Sequence, residues 1–534
     1  MTVSSQDSAG YKRLVLTLTS IGMFMAPLDS TIVNVSLPTM ASSLHLDYAT
    51  LIWVPTAYLV SFTVLPLTMG RLSDLRGRKP VYVFGVVVFS VFSFLCSLSS
   101  NGLELVAFRA LQGVGAGSIA AVSTAIVADV FPRHERGKAI GINAMTVYIG
   151  LAAGPSLGGI LTYFFGWRSI FYVNVPIGVG MAALAILKLK EPTPKASGRP
   201  AGTRRPRFDM AGVLLFTLGL VSLLVALTLS GVYGLANPGI GGLLALALVS
   251  IPLFVLVEAR RSLGQRAPVS RGARLDASSK DLGEGLEVSA RERPIEPMLD
   301  TSLFTQNRLF AAANLSALLN YTSYYCVSFL MAFYLQRVVG YTSLQAGIVL
   351  LAMPATMAVV APICGWLSDR IGSRLLSSLG MALVGAGLLM MGTLGQVSVL
   401  TSSPAAVTTA TEEAALFLFT VGLGMGMFSA PNTNAVMGSV EQSKSGVASG
   451  TLSTMRYMGQ SLSLAIMGAI VASVASNAVV SAFFVGATTA ASAGVATDLF
   501  LTGMREALVV AAAISVVGVF TSLVRGPRRP APQD

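Results

Sequence analysis

One carboxylate, Asp29, lies inside the first long apolar stretch of the chain, residues 14–37. A charged group in the interior of a membrane is costly, and ionisable residues kept there usually serve function. Burial also favours the neutral form of a carboxyl group, so such a group can bind and release protons. We therefore predict that Asp29 exchanges protons and that its ionised form attracts a substrate cation. The alternative is a structural aspartate that hydrogen-bonds to a neighbouring helix.

Arg109 and Gln112 form a second polar pair in an apolar stretch, residues 103–127. Their i, i+3 spacing places both side chains on one helix face. Because an arginine stays charged, Arg109 needs a carboxylate, a carbonyl group or water. It could stabilise ionised Asp29, assist proton release, or simply bond two helices. Arg456 is an arginine of the same kind in a later apolar stretch, and we predict that it takes part in conformational gating.

Residues suited to other kinds of chemistry are scarce. The chain has 2 His and 3 Cys, which argues against a His-based metal site and a disulfide framework. The glycine-rich segment 422–426 lies in an apolar stretch with no strand before it, so it does not predict a dinucleotide-binding loop. We expect no enzyme activity and no bound metal.

The composition indicates a membrane protein. Of 534 residues, 53% are apolar and 11% are charged, whereas a soluble domain has roughly 45–50% and about 25%. The apolar stretches lack the alternation of barrel strands, which predicts an all-α fold with residues 472–500 as an external loop or hairpin. Fourteen stretches approach or exceed the roughly 20 residues of a spanning helix. They are residues 14–37, 51–69, 80–99, 103–127, 139–164, 169–187, 210–231, 239–257, 309–335, 345–367, 375–393, 414–436, 446–471 and 503–524.

The distribution of basic residues predicts the orientation in the membrane. With the N-terminus in the cytoplasm, 31 of the 36 Lys and Arg residues lie in segments on the cytoplasmic side and 3 lie on the outer side. Basic residues mark cytoplasmic loops, so we predict a multi-pass protein of the cell membrane with both termini in the cytoplasm. The net charge of +12 reflects this asymmetry, and we expect no nucleic-acid partner.

One loop sequence occurs twice. Residues 70–79 read GRLSDLRGRK and residues 365–374 read GWLSDRIGSR, with Gly, Leu, Ser, Asp and Gly at matching positions. Two spans precede each copy within its half, which predicts two six-helix bundles, a plan known in transporters. The predicted domains are 1–189, 190–307 with two inserted helices and a cytoplasmic linker at 258–303, and 308–534.

Charged residues near the first copy of this loop are candidates for conformational gating. Asp74, Arg78 and Asp129 could form a cluster on the cytoplasmic side that breaks when the two halves move. Ordinary solvated loops are the alternative. The other gating candidates in the two repeated loops are Gly70, Gly77 and Asp369.

A glycine groove is predicted in the fifth span. Gly150, Gly154 and Gly158 recur every four residues, a spacing that lets a partner helix approach closely. Pro155 interrupts the hydrogen bonds of the same helix and is expected to bend it. We predict a close, bent contact that seals the two halves, and the alternative is general packing of membrane helices.

Aromatic and amide side chains in several spans are candidate cavity residues. Aromatic faces bind flat cations by stacking and cation–π contact, and polar bonding between helices is an equally good interpretation. The candidates are Trp53, Tyr58, Gln112, Asn314, Tyr321, Tyr325, Asn432 and Asn434.

Five segments carry a resemblance to a known family: residues 28–38, 70–79, 109–115, 150–159 and 296–304. They resemble the motifs of the major facilitator superfamily, and the span count resembles its fourteen-span drug/proton antiporter branch. The resemblance covers nearly the whole chain. It implies that Arg109 assists proton release and that the helix-5 motif belongs to an exporter. Unlike several relatives, the chain has no acid at mid-depth in its later spans, which argues against coupling to several protons.

We therefore expect a proton-driven exporter of amphipathic organic compounds, cationic or neutral, that works by alternating access. Its expected partners are a small-molecule substrate, protons and the lipid bilayer. We expect a monomer that needs no cofactor beyond the proton gradient. One alternative is a specific exporter of a metabolite such as an amino acid, a siderophore or a lipid, and another is a membrane scaffold or sensor that transports nothing.

Deletion of residues 262–293 should leave export intact, because this segment is polar, rich in Gly and Ser, and predicted to be cytoplasmic. The deletion keeps residues 296–304. Dye efflux from cells, normalised to the amount of protein in the membrane, measures the effect. Loss of efflux at normal expression would mean that the segment has a regulatory or binding role.

Overall fold

The computed structural model describes residues 9–190, 209–234, 236–264, 301–395, 397, 403–440, 445–474, 477–486 and 490–525, and regular secondary structure within them is helical throughout. This confirms the predicted all-α fold. The first helices are α1 (Ala9–Leu44), α2 (Tyr48–Arg76), α3 (Arg78–Leu98), α4 (Gly102–Val130), α5 (Arg133–Phe165), α6 (Ser169–Tyr172), α7 (Asn174–Lys188), α8 (Met210–Tyr233), α9 (Pro238–Gly264) and α10 (Thr301–Gln306). The later helices are α11 (Arg308–Tyr324), α12 (Cys326–Phe333), α13 (Ser343–Leu350), α14 (Ala352–Ile371), α15 (Ser373–Met391), α16 (Pro404–Met437), α17 (Ser445–Ser473), α18 (Asn477–Val485) and α19 (Ala490–Leu523).

Helices account for all of the predicted spans. Among the described residues, 12 helical segments are long and apolar enough to cross a membrane. The other two predicted spans are α17 and the run from α11 through α12 to a π-helical turn at Tyr334–Val338. The α11 helix carries the buried Asn314 and Asn320. A helix enclosed by other helices can carry polar residues that a lipid-facing helix cannot, which explains its lower apolarity.

Two boundaries differ from the sequence prediction. Within residues 472–500, predicted as a loop or hairpin, the 9 residues of α18 form a short helix and α19 begins at Ala490. At 1.5 Å per residue such a helix is roughly 13 Å long, too short to cross a bilayer. The α9 helix continues to Gly264, so the first residues assigned to the linker 258–303 are helical. Residues 265–300 lie outside the described part of the chain.

The glycines of the repeated loop have a common conformational role. Gly77 has a φ of 101° and Gly372 has a φ of 87°. Each residue ends one helix and begins the next, Gly77 between α2 and α3 and Gly372 between α14 and α15. Residues with a Cβ rarely adopt this positive φ, so glycine is needed for the tight reversal in both halves.

The serines of the repeated loop make matching hydrogen bonds. Ser73 Oγ donates to Gly70 O, and Ser368 Oγ donates to Gly365 O, each at 2.6 Å. The same residues in the two halves therefore make the same local contact, which is structural evidence for the internal repeat. We call α1–α7 the first bundle and α11–α19 the second bundle.

The inserted helices α8 and α9 pack beside the interface between the bundles. Asp209 accepts a hydrogen bond from Gly212 N at 2.7 Å, caps α8 and forms an ion pair with Arg261 of α9. Along α8, apolar side chains pack between α2 and α17. A Cβ at Gly231 would lie 2.7 Å from Ala469 O of α17, so α8 lies directly against the second bundle.

The two bundles pack together on the side of the molecule opposite the start of α1 and the end of α19. A Cβ at Gly347 of α13 would lie 2.6 Å from Pro155 O and 3.2 Å from Gly159 Cα of α5. Arg337 donates to Pro38 O and to Ser42 Oγ of α1, each at 2.7 Å. We call this end, formed by Gly159, Gly347 and Arg337, the closed end.

Candidate functional site

Asp29 lies in the interior of the first bundle with 0% of its surface exposed. Arg109 of α4, also 0% exposed, forms an ion pair with Asp29 Oδ2 through Nη1. The structure therefore brings together the two residues that the sequence predicts for proton coupling. The carboxylate on α1 and the guanidinium on α4 hold these two helices together.

Gln112 completes a ring around the ion pair. Its Oε1 accepts a hydrogen bond from Arg109 Nη1 at 2.7 Å, and its Nε2 donates to Asp29 Oδ1 at 2.9 Å. The same Nε2 donates to Ser93 Oγ of α3 at 2.7 Å. Gln112 was predicted to line the cavity, and the structure places it beside the ion pair of Asp29 and Arg109 instead.

Asn174 is a member of this site that the sequence analysis missed. Its Nδ2 donates to Asp29 Oδ1 at 2.9 Å from the start of α7. A signal was present, because Asn174 is an amide in the apolar stretch 169–187. Sequence spacing alone could not place it, since the contact joins residues 145 positions apart.

Aromatic rings cover the arginine. The Arg109 guanidinium lies 4.2 Å from the centre of the Tyr58 ring and 5.8 Å from that of Phe171, and its Nε donates to Val54 O at 3.2 Å. Its Nη2 is buried without a hydrogen-bond partner among the described atoms. Cation–π contacts of this kind stabilise a desolvated cation.

The arrangement changes the expected mode of coupling. Both oxygens of Asp29 already accept hydrogen bonds from side chains of the protein, and the residue has no exposed surface. A substrate cation therefore has no access to the carboxylate in this conformation. Direct competition between a proton and a substrate for this carboxylate, as the sequence predicted, would therefore need a large rearrangement.

The glycine groove of α5 packs against α1 and not against a helix of the second bundle. A Cβ at Gly154 would lie 2.7 Å from Thr31 Cβ, and one at Gly158 would lie 2.6 Å from Ile32 O. A Cβ at Gly150 would overlap Phe24 O. The prediction that this groove seals the two halves is therefore wrong for these three glycines, because they line the face of α5 inside the first bundle.

An aromatic column leads from this site to the second bundle. Tyr58 lies 5.7 Å from Phe62, and Phe62 lies 4.0 Å from Tyr457 of α17, measured between ring centres. Arg456, the neighbour of Tyr457, donates from Nη2 to Thr433 Oγ1 at 2.5 Å. The rings therefore lead from Arg109 across the bundle interface to α17, the helix that carries Arg456.

Two other predicted cavity residues, Tyr325 and Asn314, make hydrogen bonds to backbone carbonyl groups. Tyr325 donates from its hydroxyl to Ser30 O at 3.3 Å, next to Asp29. Asn314 Nδ2 donates to Phe310 O of its own helix at 2.9 Å, and its Oδ1 has no described partner.

The remaining predicted cavity residues lie outside the interface between the bundles or make no described polar contact. Asn432 accepts a hydrogen bond from Arg525, and Asn434 Nδ2 donates to Ser368 Oγ at 3.1 Å. These two amides hold helices of the second bundle together. Trp53 is half-buried on α2.

Part of the predicted charge cluster is assembled. Arg78 at the start of α3 forms an ion pair with Asp129 at the end of α4 and donates to Ala125 O. The side chains of Asp74 and Asp369 lie outside the described part of the chain. The described pair joins two helices of the first bundle.

Two repeated helical bundles in one membrane protein are the architecture of many membrane transporters. The chain belongs to the Major Facilitator Superfamily, whose family model matches residues 19–464 and 313–534. It is therefore a multi-pass membrane transporter that acts on small molecules, and it is not an enzyme.

Curated relatives are similar over most of their length. The chain is 31% identical to the riboflavin transporter RibZ of Clostridioides difficile (strain 630), over 86% of this chain and 88% of that protein. It is 30% identical to the multidrug resistance protein Stp of Mycobacterium tuberculosis (strain ATCC 25618 / H37Rv), over 86% of this chain and 76% of that protein. These relatives differ in the substrates that their names give.

Solved structures share the fold. A bacterial homologue of the human lysosomal transporter Spinster, in an inward-facing and occupied conformation, matches with a TM-score of 0.62 and 15% identity. The match covers 98% of this chain and 100% of that one. At this level of identity the likeness concerns the fold alone.

Gly154→Ala should impair export, because the new Cβ would overlap Thr31 of α1. Overpacking of this kind costs about 1–3 kcal/mol, and because the contact lies inside the first bundle, the cost falls on the position of α1, which carries Asp29. Substrate binding in detergent and export in vesicles, measured side by side, separate a conformational defect from loss of binding.

Gly141→Ala is the matched control, because it adds the same methyl group to the same helix where nothing lies within 4 Å. It should export normally. Equal export by the two variants would contradict the close packing of α5 on α1.

Proposed function

We propose that this protein exports amphipathic organic compounds in exchange for protons by alternating access. The observation that carries the proposal is the buried ion pair of Asp29 and Arg109. The carboxylate of Asp29 can take up a proton, whereas the guanidinium of Arg109 stays charged. No cofactor beyond the proton gradient is needed for such an exchange.

Proton uptake by Asp29 would end the ion pair and leave the charge of Arg109 buried. Breaking a buried pair by neutralising one partner costs about 3–5 kcal/mol. The remaining described acceptors of Arg109 are Val54 O and Gln112 Oε1. A free-energy change of this size can shift a two-state equilibrium by roughly two to four decades, which is enough to drive a conformational change.

The α1 helix can carry this change to the second bundle. It holds Asp29, and the next residue, Ser30, accepts a hydrogen bond from Tyr325 of the second bundle. Further along α1, Val35 O accepts from Gln336 Nε2 at 2.8 Å. Protonation of one residue therefore acts on a helix that contacts both bundles.

The conformation fits one step of the transport cycle. The hydrogen bonds described between the bundles lie at mid-depth, as between Thr63 and Ser461, or toward the closed end. With both termini in the cytoplasm, as the basic residues predict, the closed end faces outward and the state is inward-facing. We propose a monomer in the cell membrane that collects substrate from the cytoplasmic side.

A specific metabolite exporter is the second candidate. The observation that favours it is the 31% identity to a protein named as a riboflavin transporter. The similarity to a multidrug resistance protein at 30% identity favours a broader range of substrates. Export of many unrelated dyes by one purified protein would distinguish the broad function from the specific one.

Asp29→Asn should abolish export driven by a pH gradient in reconstituted vesicles, because the variant cannot take up a proton at this site. It should also melt at a lower temperature, since Arg109 loses its counter-ion at a cost of about 3–5 kcal/mol. The double variant Asp29→Asn with Arg109→Gln should regain much of that stability and still fail to respond to the gradient.

Glu412→Gln is the control for loss of one carboxylate, because Glu412 is exposed on α16. It should export like the unmodified protein. Gradient-driven export by Asp29→Asn at the normal rate would refute the role of Asp29 in coupling. Normal stability of that variant would show that the ion pair contributes little to folding.

A further inference from the structure

Arg456 is a cation inside the second bundle. Among the residues that the structure describes, no carboxylate forms an ion pair with it, whereas Arg109 is paired with Asp29. Its Nη2 donates to the neutral hydroxyl of Thr433 at 2.5 Å, and its Nε is buried with no partner. A charged group at membrane depth needs compensation, so the site is electrostatically incomplete.

Tyrosines surround this arginine. The Arg456 guanidinium lies 5.8 Å from the centre of the Tyr321 ring, and the Tyr321 and Tyr324 rings meet edge to face at 5.4 Å. Tyr457 follows Arg456 on α17, and Tyr148 of α5 is near enough to influence the Arg456 charge. Their hydroxyl groups can donate hydrogen bonds to an anion, and their rings can pack against a flat molecule.

The site draws residues from both bundles. Tyr148 lies on α5 of the first bundle, whereas Tyr321 lies on α11 and Arg456 on α17 of the second. Arg456, Tyr148 and Tyr457 are partly exposed, whereas Tyr321 and Tyr324 are buried, so part of the site, including the arginine, is open to a ligand. Close packing of Gly459, where a Cβ would lie 2.8 Å from Tyr321 Cβ, fixes α11 against α17. A ligand bound here would contact both of the bodies that move in alternating access.

We propose that Arg456 and Tyr148, Tyr321, Tyr324 and Tyr457 bind a substrate that carries an anionic group on a flat aromatic ring system. The inference rests on the proposed transport function and specifies its substrate class. A carboxylate, sulfonate or phosphate of the substrate supplies the charge that Arg456 lacks, and arginine is well suited to bind such groups through two hydrogen bonds. The tyrosine rings hold the aromatic part.

This substrate class differs from the cationic class that the sequence suggests. A cation would be repelled by Arg456, and the carboxylate that should attract it, Asp29, is enclosed by Arg109 and Gln112. The accessible charge at the bundle interface is therefore positive, and the negative charge is sealed from the substrate.

Two dyes of similar shape and opposite charge test the inference. Fluorescein is an anion at neutral pH, and tetramethylrhodamine methyl ester is a cation with the same xanthene ring system. Binding of each dye to the purified protein in detergent is measured by fluorescence anisotropy, with empty micelles as the blank. We expect the unmodified protein to bind fluorescein more tightly than the cationic dye.

Arg456→Gln should weaken fluorescein binding by about tenfold or more, the loss expected for a charge-assisted hydrogen bond, and should leave binding of the cationic dye nearly unchanged or improved. Arg456→Lys should keep the preference for fluorescein. Arg505→Gln removes an equal charge from an exposed position on α19 and should change neither affinity. Equal losses for both dyes, or no loss for fluorescein, would overturn the inference.

A second measurement needs no variant and holds even if Arg456→Gln does not fold. Naphthoate should displace fluorescein from the unmodified protein at a much lower concentration than its uncharged methyl ester. Equal displacement by the two compounds would contradict an anion site. Because both binding experiments run without a proton gradient, their failure leaves proton coupling standing, and a failure of gradient-driven export leaves the anion site standing.

Discussion

The ion pair between Asp29 and Arg109 is the interaction on which the rest of the first bundle depends. Two opposite charges with no exposed surface are tolerated in an apolar bundle only when they meet each other and when the remaining polar atoms find partners. Gln112 and Asn174 donate hydrogen bonds to the Asp29 carboxylate, and the Tyr58 ring covers the guanidinium of Arg109, whose Nη2 has no described hydrogen-bond partner. Helices α1, α2, α3, α4 and α7 are thereby held at one point, and any change in the protonation of Asp29 affects all of them.

The α1 helix, which carries Asp29, contacts both α5 of the first bundle and the second bundle. Three glycines of α5 allow α1 to approach its backbone, while Tyr325, Gln336 and Arg337 of the second bundle bond to carbonyl groups of α1. A helix held this closely on both sides moves with its neighbours or not at all, because packed interiors do not deform smoothly. The same contacts that stabilise the fold are therefore available to transmit a local charge change.

The two arginines within the spans show how the surroundings assign different roles to one residue type. Arg109 has a carboxylate, an amide and a carbonyl group as partners, so its charge is compensated within the protein. Arg456 has a threonine hydroxyl and aromatic rings, so its charge is not. A buried charge needs compensation, which is why we assign Arg109 to coupling with Asp29 and propose that Arg456 binds a ligand of opposite charge.

The sequence by itself determined the properties that depend on local composition and spacing. Long apolar stretches predict spanning helices because backbone groups in lipid must bond within one segment, and the repeated glycines at 77 and 372 mark the same helix reversal. The identities of Asp29 and Arg109 as a site followed from the cost of burying charge. Only the tertiary structure decided which helix fills the glycine groove of α5, that Asn174 reaches Asp29, and that Arg456 meets no carboxylate among the described residues. Those contacts join residues far apart in the chain, and the pattern along one helix shows which face is suited to contact but not which helix meets it.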